Sequence, residues 1–226
     1  MSLIQENISN VMAEVSDLCR DHSNDLSKLV IVAASKTHRI ELIEQAYNSG
    51  IKNFGENYLQ EAEIKITSTD LDIIWHFIGS IQTRKCKKIA ALFDWVHTLE
   101  RIEVAKKLDS RRAVHKEKLN VCVQVNIDNE DSKSGIAIDE VDVFVKELQG
   151  LNNLKVRGLM AIPDPSIDHK QRISSFRKLK NKFNDLRGLY KDIDTLSMGM
   201  SGDYGDAIKE GSTMIRIGTG IFGKRL

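Results

Sequence analysis

The most constraining feature of this chain is a period. Short apolar runs recur at residues 29–36, 51–56, 73–79, 95–99, 121–127, 154–162, 195–200 and 213–217. Each is bounded by glycine, proline or polar turns and reads as a strand buried on both faces. Stretches with apolar spacings of three and four separate them. Ile40, Ile43, Ala46 and Tyr47 form one helical face, stopped by Gly50. Further helices are predicted over 57–66, 83–93, 101–116 and 204–210. Two more follow from the faces Val141, Phe144, Val145, Leu148 and Ile173, Phe176, Leu179, Phe183, Leu186. Strand and helix in strict alternation require a parallel sheet, and eight such units predict a (β/α)₈ TIM-type barrel. One extra helix precedes it within residues 1–23, with Ile4, Ile8, Val11, Met12, Val15, Leu18 and Cys19 as its apolar stripe. No linker or composition shift divides the chain, so residues 1–226 are read as a single domain. An open doubly wound sheet is the alternative, but no GxGxxG follows the first strand.

Composition narrows the function. A net charge of +1 provides no general attraction for nucleic acid or an anionic membrane. The cluster Arg84, Lys85, Lys87 and Lys88 lacks interleaved aromatics and reads as a solvated helix face. Three scattered cysteines, Cys19, Cys86 and Cys122, form neither CxxC nor a cluster with histidine, which argues against zinc and disulfides. Cys122, in mid-strand, is read as packing. The amino terminus carries no apolar signal core and no run reaches membrane-spanning length. A cytoplasmic protein without nucleic-acid or membrane partners is expected.

Barrel active sites lie at the carboxyl ends of the strands. The predicted first strand ends on Lys36, where a desolvated ε-amine becomes a nucleophile suited to Schiff-base chemistry; a lysine that snorkels into water is the plainer reading. The second strand offers Glu56 and Asn57, the fifth Asn126, the sixth Met160. After the seventh come Ser201 and Gly202, and the eighth runs Arg216-Ile217-Gly218-Thr219-Gly220. Loops after strands seven and eight commonly bind phosphate through unpaired amides, and glycine admits an anion close to the backbone. Taken alone, either loop is equally well a plain turn. An amine facing a phosphate cradle is what pyridoxal 5′-phosphate requires. Arg216, a permanent cation, suits a place beside the pyridine nitrogen, and a salt bridge within the barrel mouth is its alternative. His76, between Trp75 and Phe77, is read as a hydrogen-bonded core histidine, and Lys133 as a solvated loop lysine.

The segments VAASKTH, FGENYLQE, WHFIGSIQ, VNIDNEDSKSGI, RGLMAIP and SMGMSGDYGDAIKEGSTMIRIGTGIFGKR, in this order from about residue 29 to 225, resemble the pyridoxal phosphate homeostasis protein family. These proteins are relatives of the alanine racemase barrel domain. The resemblance implies pyridoxal phosphate held as an internal aldimine on Lys36. It also implies phosphate contacts from Ser201, Gly202, Gly218 and Thr219, Arg216 near the pyridine nitrogen, and Asn57 beside the ring. The implied role is storage or delivery of the cofactor in vitamin B6 homeostasis, with pyridoxal-phosphate-dependent apoenzymes as recipients and no established turnover. Two departures stand out: Arg84 where members often carry asparagine, and an end at Lys224-Arg225-Leu226 without a longer basic tail. A racemase of the alanine racemase type is the alternative function. It needs a second acid or base opposite Lys36, which alanine racemase takes from a tyrosine of a further β-domain. Tyr58 and Tyr204 lie near the rim, but nothing in the sequence aims either one. A monomer is expected because that domain also completes the racemase dimer. A barrel aldolase using Lys36 on a sugar phosphate is a third reading.

Overall fold

The computed structural model describes residues 2–22, 25–128, 130 and 133–223. The terminal Lys224-Arg225-Leu226, and part of the polar loop after the fifth strand, lie outside the described residues. Eight parallel strands close into a barrel in sequence order: β1 (Val30–Ala34), β2 (Asn53–Glu56), β3 (Ile74–Phe77), β4 (Trp95–Leu99), β5 (Leu119–Gln124), β6 (Leu154–Met160), β7 (Thr195–Met200) and β8 (Met214–Ile217). The helices are α1 (Leu3–Asp21), α2 (Ile40–Asn48), α3 (Leu59–Thr67), α4 (Cys86–Leu92), α5 (Ile102–Arg111), α6 (Val141–Leu148), α7 (His169–Leu189), α8 (Tyr204–Lys209) and the single turn α9 (Thr219–Phe222). Among the described residues, no helix is long and apolar enough to cross a membrane.

The predicted strand and helix order holds, and the differences have local causes. α5 ends at Arg111 rather than near 116 because the next side chain folds back. Arg112 is buried and donates to the carbonyls of Ala90, Phe93 and Glu117, all at 2.7 Å. The chain therefore leaves the helix there. β5 begins two residues early and stops at Gln124, after which Val125 makes only an isolated bridge to Ile136. In α1, Ser2 and Gln5 form a reciprocal capping box. Its buried stripe is Ile4, Ile8, Val11, Val15 and Cys19, whereas Met12, counted in the predicted stripe, is 42% exposed. The helix packs beside α9, where Asn7 Nδ2 donates to the Ile221 carbonyl at 2.9 Å.

Two cores result. The larger lies between the barrel wall and the helices. The smaller fills the barrel itself and comprises Val32, Trp95, Cys122, Met160 and Met214, with Val30 packed against them. A polar column runs through this second core. Arg216 Nη1 donates to Ser197 Oγ at 2.5 Å, and Ser197 Oγ lies 3.1 Å from His97 Nδ1. His97 Nε2 is 2.9 Å from His76 Nδ1, whose Nε2 is 3.0 Å from Asn53 Oδ1. An arginine can only donate and an amide oxygen can only accept. One set of proton positions, running from Arg216 towards Asn53, therefore satisfies every link with both histidines neutral. His76 also stacks on Trp95, with ring centroids 5.4 Å apart. It is the hydrogen-bonded core histidine the sequence suggested. Cys122 is fully buried, and desolvation pushes its thiol up to about 12, which suits packing.

Burial lowers the His76 pKa to about 3, and burial followed by the nearby His76 and Arg216 holds His97 well below its ordinary value. The unfolded chain takes up protons below about pH 6.5 that these rings refuse. Their contribution to stability is thus fully present above that pH and is lost as pH falls towards 3. Between pH 7 and 4.5, wild type is expected to lose about 2–3 kcal/mol more than His76→Gln. Denaturant titration at both pH values checks this, and equal losses would contradict it.

Candidate functional site

β1 ends at Ala34, so Lys36 stands two residues past the strand in a tight turn, not on the strand as expected. Alternation along the chain carries Val30 and Val32 into the barrel and places Ala34 and Lys36 on the wall of a cavity at its mouth. The turn is anchored by the Ser35 amide on the Gly55 carbonyl (2.9 Å) and the His38 amide on the Ser35 carbonyl (3.1 Å).

The same alternation separates the two residues offered by β2. Asn57 faces the cavity, and its Oδ1 is buried without a hydrogen-bond partner. Glu56 points the other way, into the layer between barrel and helices. There it accepts from Ser35 Oγ (2.6 Å) and Lys65 Nζ (2.7 Å), so it does not belong to the rim. Close packing fixes Asn57: a Cβ added at Gly79 would come within 2.1 Å of the Asn57 carbonyl oxygen. Only glycine lets the end of β3 lie against this backbone.

Arg216 reaches the cavity because the last strand pairs with the first, with Val32 opposite Arg216. The residue is 5% exposed, and its side chain donates to the Ser197 carbonyl (3.0 Å), Ser197 Oγ and the Ala161 carbonyl (3.2 Å). The alternative salt bridge is not formed: among the described residues no carboxylate lies within ion-pair distance. Burial lowers its pKa to about 10, so it remains a cation at neutral pH. An unneutralised guanidinium thus opens on the cavity.

The two glycine loops meet beside it. After β7, the Met200 amide donates to Asp203 Oδ1 (2.6 Å) and the Asp203 amide to the Met200 carbonyl (3.0 Å). The middle amides, Ser201 and Gly202, take no part in this closure. Ser201 Oγ accepts from the Gly218 amide at 3.2 Å, tying the loop to the one after β8. There, the amides of Thr219 and Gly220 open α9 and have no intrahelical acceptor. A Cβ at Gly202 would meet nothing within 4 Å, so packing does not demand glycine there.

The cavity measures about 350 Å³, within the range of small-molecule sites. Lys36, Asn57, Ser201, Gly202, Arg216, Gly218 and Thr219 all line it, with Met160. Asn126 does not; its side chain closes the loop after β5 through Glu130, bonding both the carbonyl (2.8 Å) and the amide (3.2 Å). Lys133 is not a solvated lysine either, since its ammonium is drawn 2.9 Å from Glu130 and 3.6 Å from Asp164. Among the lining residues that sequence reasoning missed, the titratable one is His38, stacked on Phe222 at 4.6 Å. Its only signal was proximity to Lys36. Neither tyrosine of the rim faces the cavity. Tyr204 is buried and bonded to Glu14 of α1, and burial together with that bond raises its pKa. Tyr58 is 56% exposed and outside the lining.

One amine, one unneutralised cation, a ring of unengaged amides and an orphaned amide oxygen fit a small anionic ligand that also carries an electrophile and a hydrogen-bonding ring. A closed β/α barrel with this rim defines the class: the family model for the alanine racemase N-terminal domain matches residues 7–225. A pyridoxal phosphate homeostasis protein of Pseudomonas aeruginosa is 42% identical over 226 residues, spanning all of this chain and 97% of that protein. Its counterpart from Haemophilus influenzae is 41% identical over 227 residues, spanning 98% and 96%. The structure of PipY from Synechococcus elongatus with pyridoxal phosphate bound superposes with a TM-score of 0.79 at 28% identity, over 93% of this chain and 100% of that one. The chain belongs to the pyridoxal phosphate homeostasis protein family.

The cradle makes its own prediction. Because a Cβ at Gly202 meets no protein atom within 4 Å, Gly202→Ala is expected to keep the thermal midpoint within about 2 °C of wild type. The same variant is expected to weaken orthophosphate binding, followed by isothermal calorimetry, by roughly tenfold or more. Unchanged binding would remove Gly202 from the anion site.

Proposed function

We propose that this chain binds pyridoxal 5′-phosphate covalently through Lys36 and serves to store or deliver it, without turnover of its own. The observation that carries this reading is the convergence of Lys36, Arg216 and both glycine loops on one cavity. Its relatives' names and the ligand in PipY support it. Bound pyridoxal phosphate supplies an aldehyde that condenses with an amine, and a ring that withdraws electrons when its nitrogen is protonated. The residues of this chain divide the rest. Ser201, Gly202 and Thr219 would hold the phosphate with backbone amides and hydroxyls, while Gly218 lets the chain come close to the anion and turns the Ser201 hydroxyl towards it through its amide. Arg216 would face the pyridine nitrogen. A guanidinium pinned by Ser197 and the Ala161 carbonyl keeps its protons at neutral pH, so it would leave that nitrogen unprotonated and the ring weakly electron-withdrawing. Asn57 offers its unpaired Oδ1 to the ring substituents.

This arrangement suits holding the cofactor better than reshaping an amino acid. Racemisation needs a second acid or base across from Lys36, and both rim tyrosines are turned away. His38 is the one lining side chain that keeps the racemase reading in play. Recipient apoenzymes are proposed from the delivery role alone.

The test combines three measurements on purified protein. Wild type loaded with pyridoxal phosphate is expected to show a visible band that borohydride bleaches, leaving a mass increase mapped to Lys36. Lys36→Ala is expected to show neither. With L- or D-alanine in deuterated water, α-proton exchange is expected to stay at the rate of free pyridoxal phosphate. Fast exchange lost in His38→Asn would establish the racemase reading instead. A protein that never takes up the cofactor would overturn both.

A further inference from the structure

Behind the barrel wall, opposite the cavity, lies a buried ion triad that none of the rim chemistry uses. Lys65 of α3 has a side chain 6% exposed, and its ammonium meets Glu56 Oε1 at 2.7 Å and Glu61 Oε1 at 2.5 Å. Buried ion pairs are weak evidence for stability, because burial strips both charges of water. The backbone partners show what this triad does. The third acceptor of Lys65 is the carbonyl of Ser35, at 2.9 Å. Glu61, the other end of the triad, accepts from the amide of Thr37 at 2.6 Å through the same Oε1. Glu56 also takes the Ser35 hydroxyl at 2.6 Å. The peptide bonds before and after Lys36 are therefore both held by charged groups of one network.

What they hold is strained. Thr37 has φ +68°, the one non-glycine residue with positive φ among the described residues. A β-branched residue rarely adopts that conformation unless its surroundings impose it. Relaxing it would swing the peptide plane that follows Lys36 and loosen the backbone that carries the ε-amine. We infer that Glu61 and Lys65 are positioning residues for Lys36: together they clamp its two flanking peptide groups and so fix where its amine stands. This rests on the reading of Lys36 as the covalent anchor. Neither residue lines the cavity, so the clamp acts on the covalent step and leaves recognition of ring and phosphate alone.

A pair of ligands separates the two effects. Pyridoxine 5′-phosphate has the same ring and phosphate but an alcohol in place of the aldehyde, so it reports the pocket without the amine. The test variants are Glu61→Ala, Glu61→Gln and Lys65→Met. Glu61, with 27% of its side chain exposed, can be truncated with less risk to folding than Lys65. In apo Glu61→Ala, capture of pyridoxal 5′-phosphate, followed as borohydride-fixed adduct on Lys36, is expected to slow roughly tenfold or more. Its Kd for pyridoxine 5′-phosphate should stay within about twofold of wild type. Glu61→Gln, which keeps an acceptor for the Thr37 amide, should recover part of the rate. Without any ligand, hydrogen exchange at Thr37 should quicken in Glu61→Ala while the barrel strands stay protected. Capture at the wild-type rate, or equal loss of both ligands, would overturn the clamp. A wild type that binds pyridoxine 5′-phosphate yet never forms the Lys36 adduct would instead overturn the anchor, and the clamp's role with it.

Discussion

Taking a guanidinium out of water with no carboxylate to meet it is unfavourable, and β8 does this to Arg216 at the mouth of the barrel. The charge is tolerated because three acceptors face it from Ser197 and Ala161. Behind Ser197, a column of neutral groups passes the hydrogen-bond polarity on through His97 and His76 to Asn53. A carboxylate in that column would neutralise the cation and discharge the site. The polar interior of the barrel thus goes with a buried positive charge that opens on the cavity. Desolvation of the histidines, which keeps them neutral, is part of the same arrangement.

Closure of the barrel converts sequence distance into proximity. Lys36 and Arg216 lie near opposite ends of the chain, yet β1 and β8 pair directly and bring them to one rim. The outer layer then serves that rim. α1 reaches α9 through Asn7, bracing the loop whose amides complete the cradle. α3 supplies Glu61 and Lys65 to the turn that carries Lys36. A site made of short loops is thereby supported by two separate helices, α1 and α3, and by the barrel wall.

Much of this was legible in the residues. Strands buried on both faces are nearly continuous apolar runs, so β4 and β7 were delimited at Trp95–Leu99 and Thr195–Met200. Serine and glycine at strand ends, and a lysine after an apolar run, pointed to residues that line one cavity. What stayed hidden depends on direction or on distant partners. Glu56 and Asn57 are neighbours in sequence, and only the alternation of the real strand sends one outwards and the other into the cavity. The end of α5 is set by carbonyls about twenty residues away that Arg112 reaches back to cap. Lys133 looks free on a polar loop, and Asn126 looks like a rim residue at a strand end, until Glu130 and Asp164 draw them in. The clamp on Thr37 has no local signature, since no single-residue pattern reports a strained φ.

The most direct measurement is a crystal structure of the chain after soaking with pyridoxal 5′-phosphate. Continuous density from Lys36 Nζ is expected, with the phosphate against the amides of Ser201, Gly202 and Thr219, beside Gly218, and the pyridine nitrogen facing Arg216. Phosphate density elsewhere on the barrel, or a ring turned so that Arg216 faces no ligand atom, would contradict the assignment of this rim.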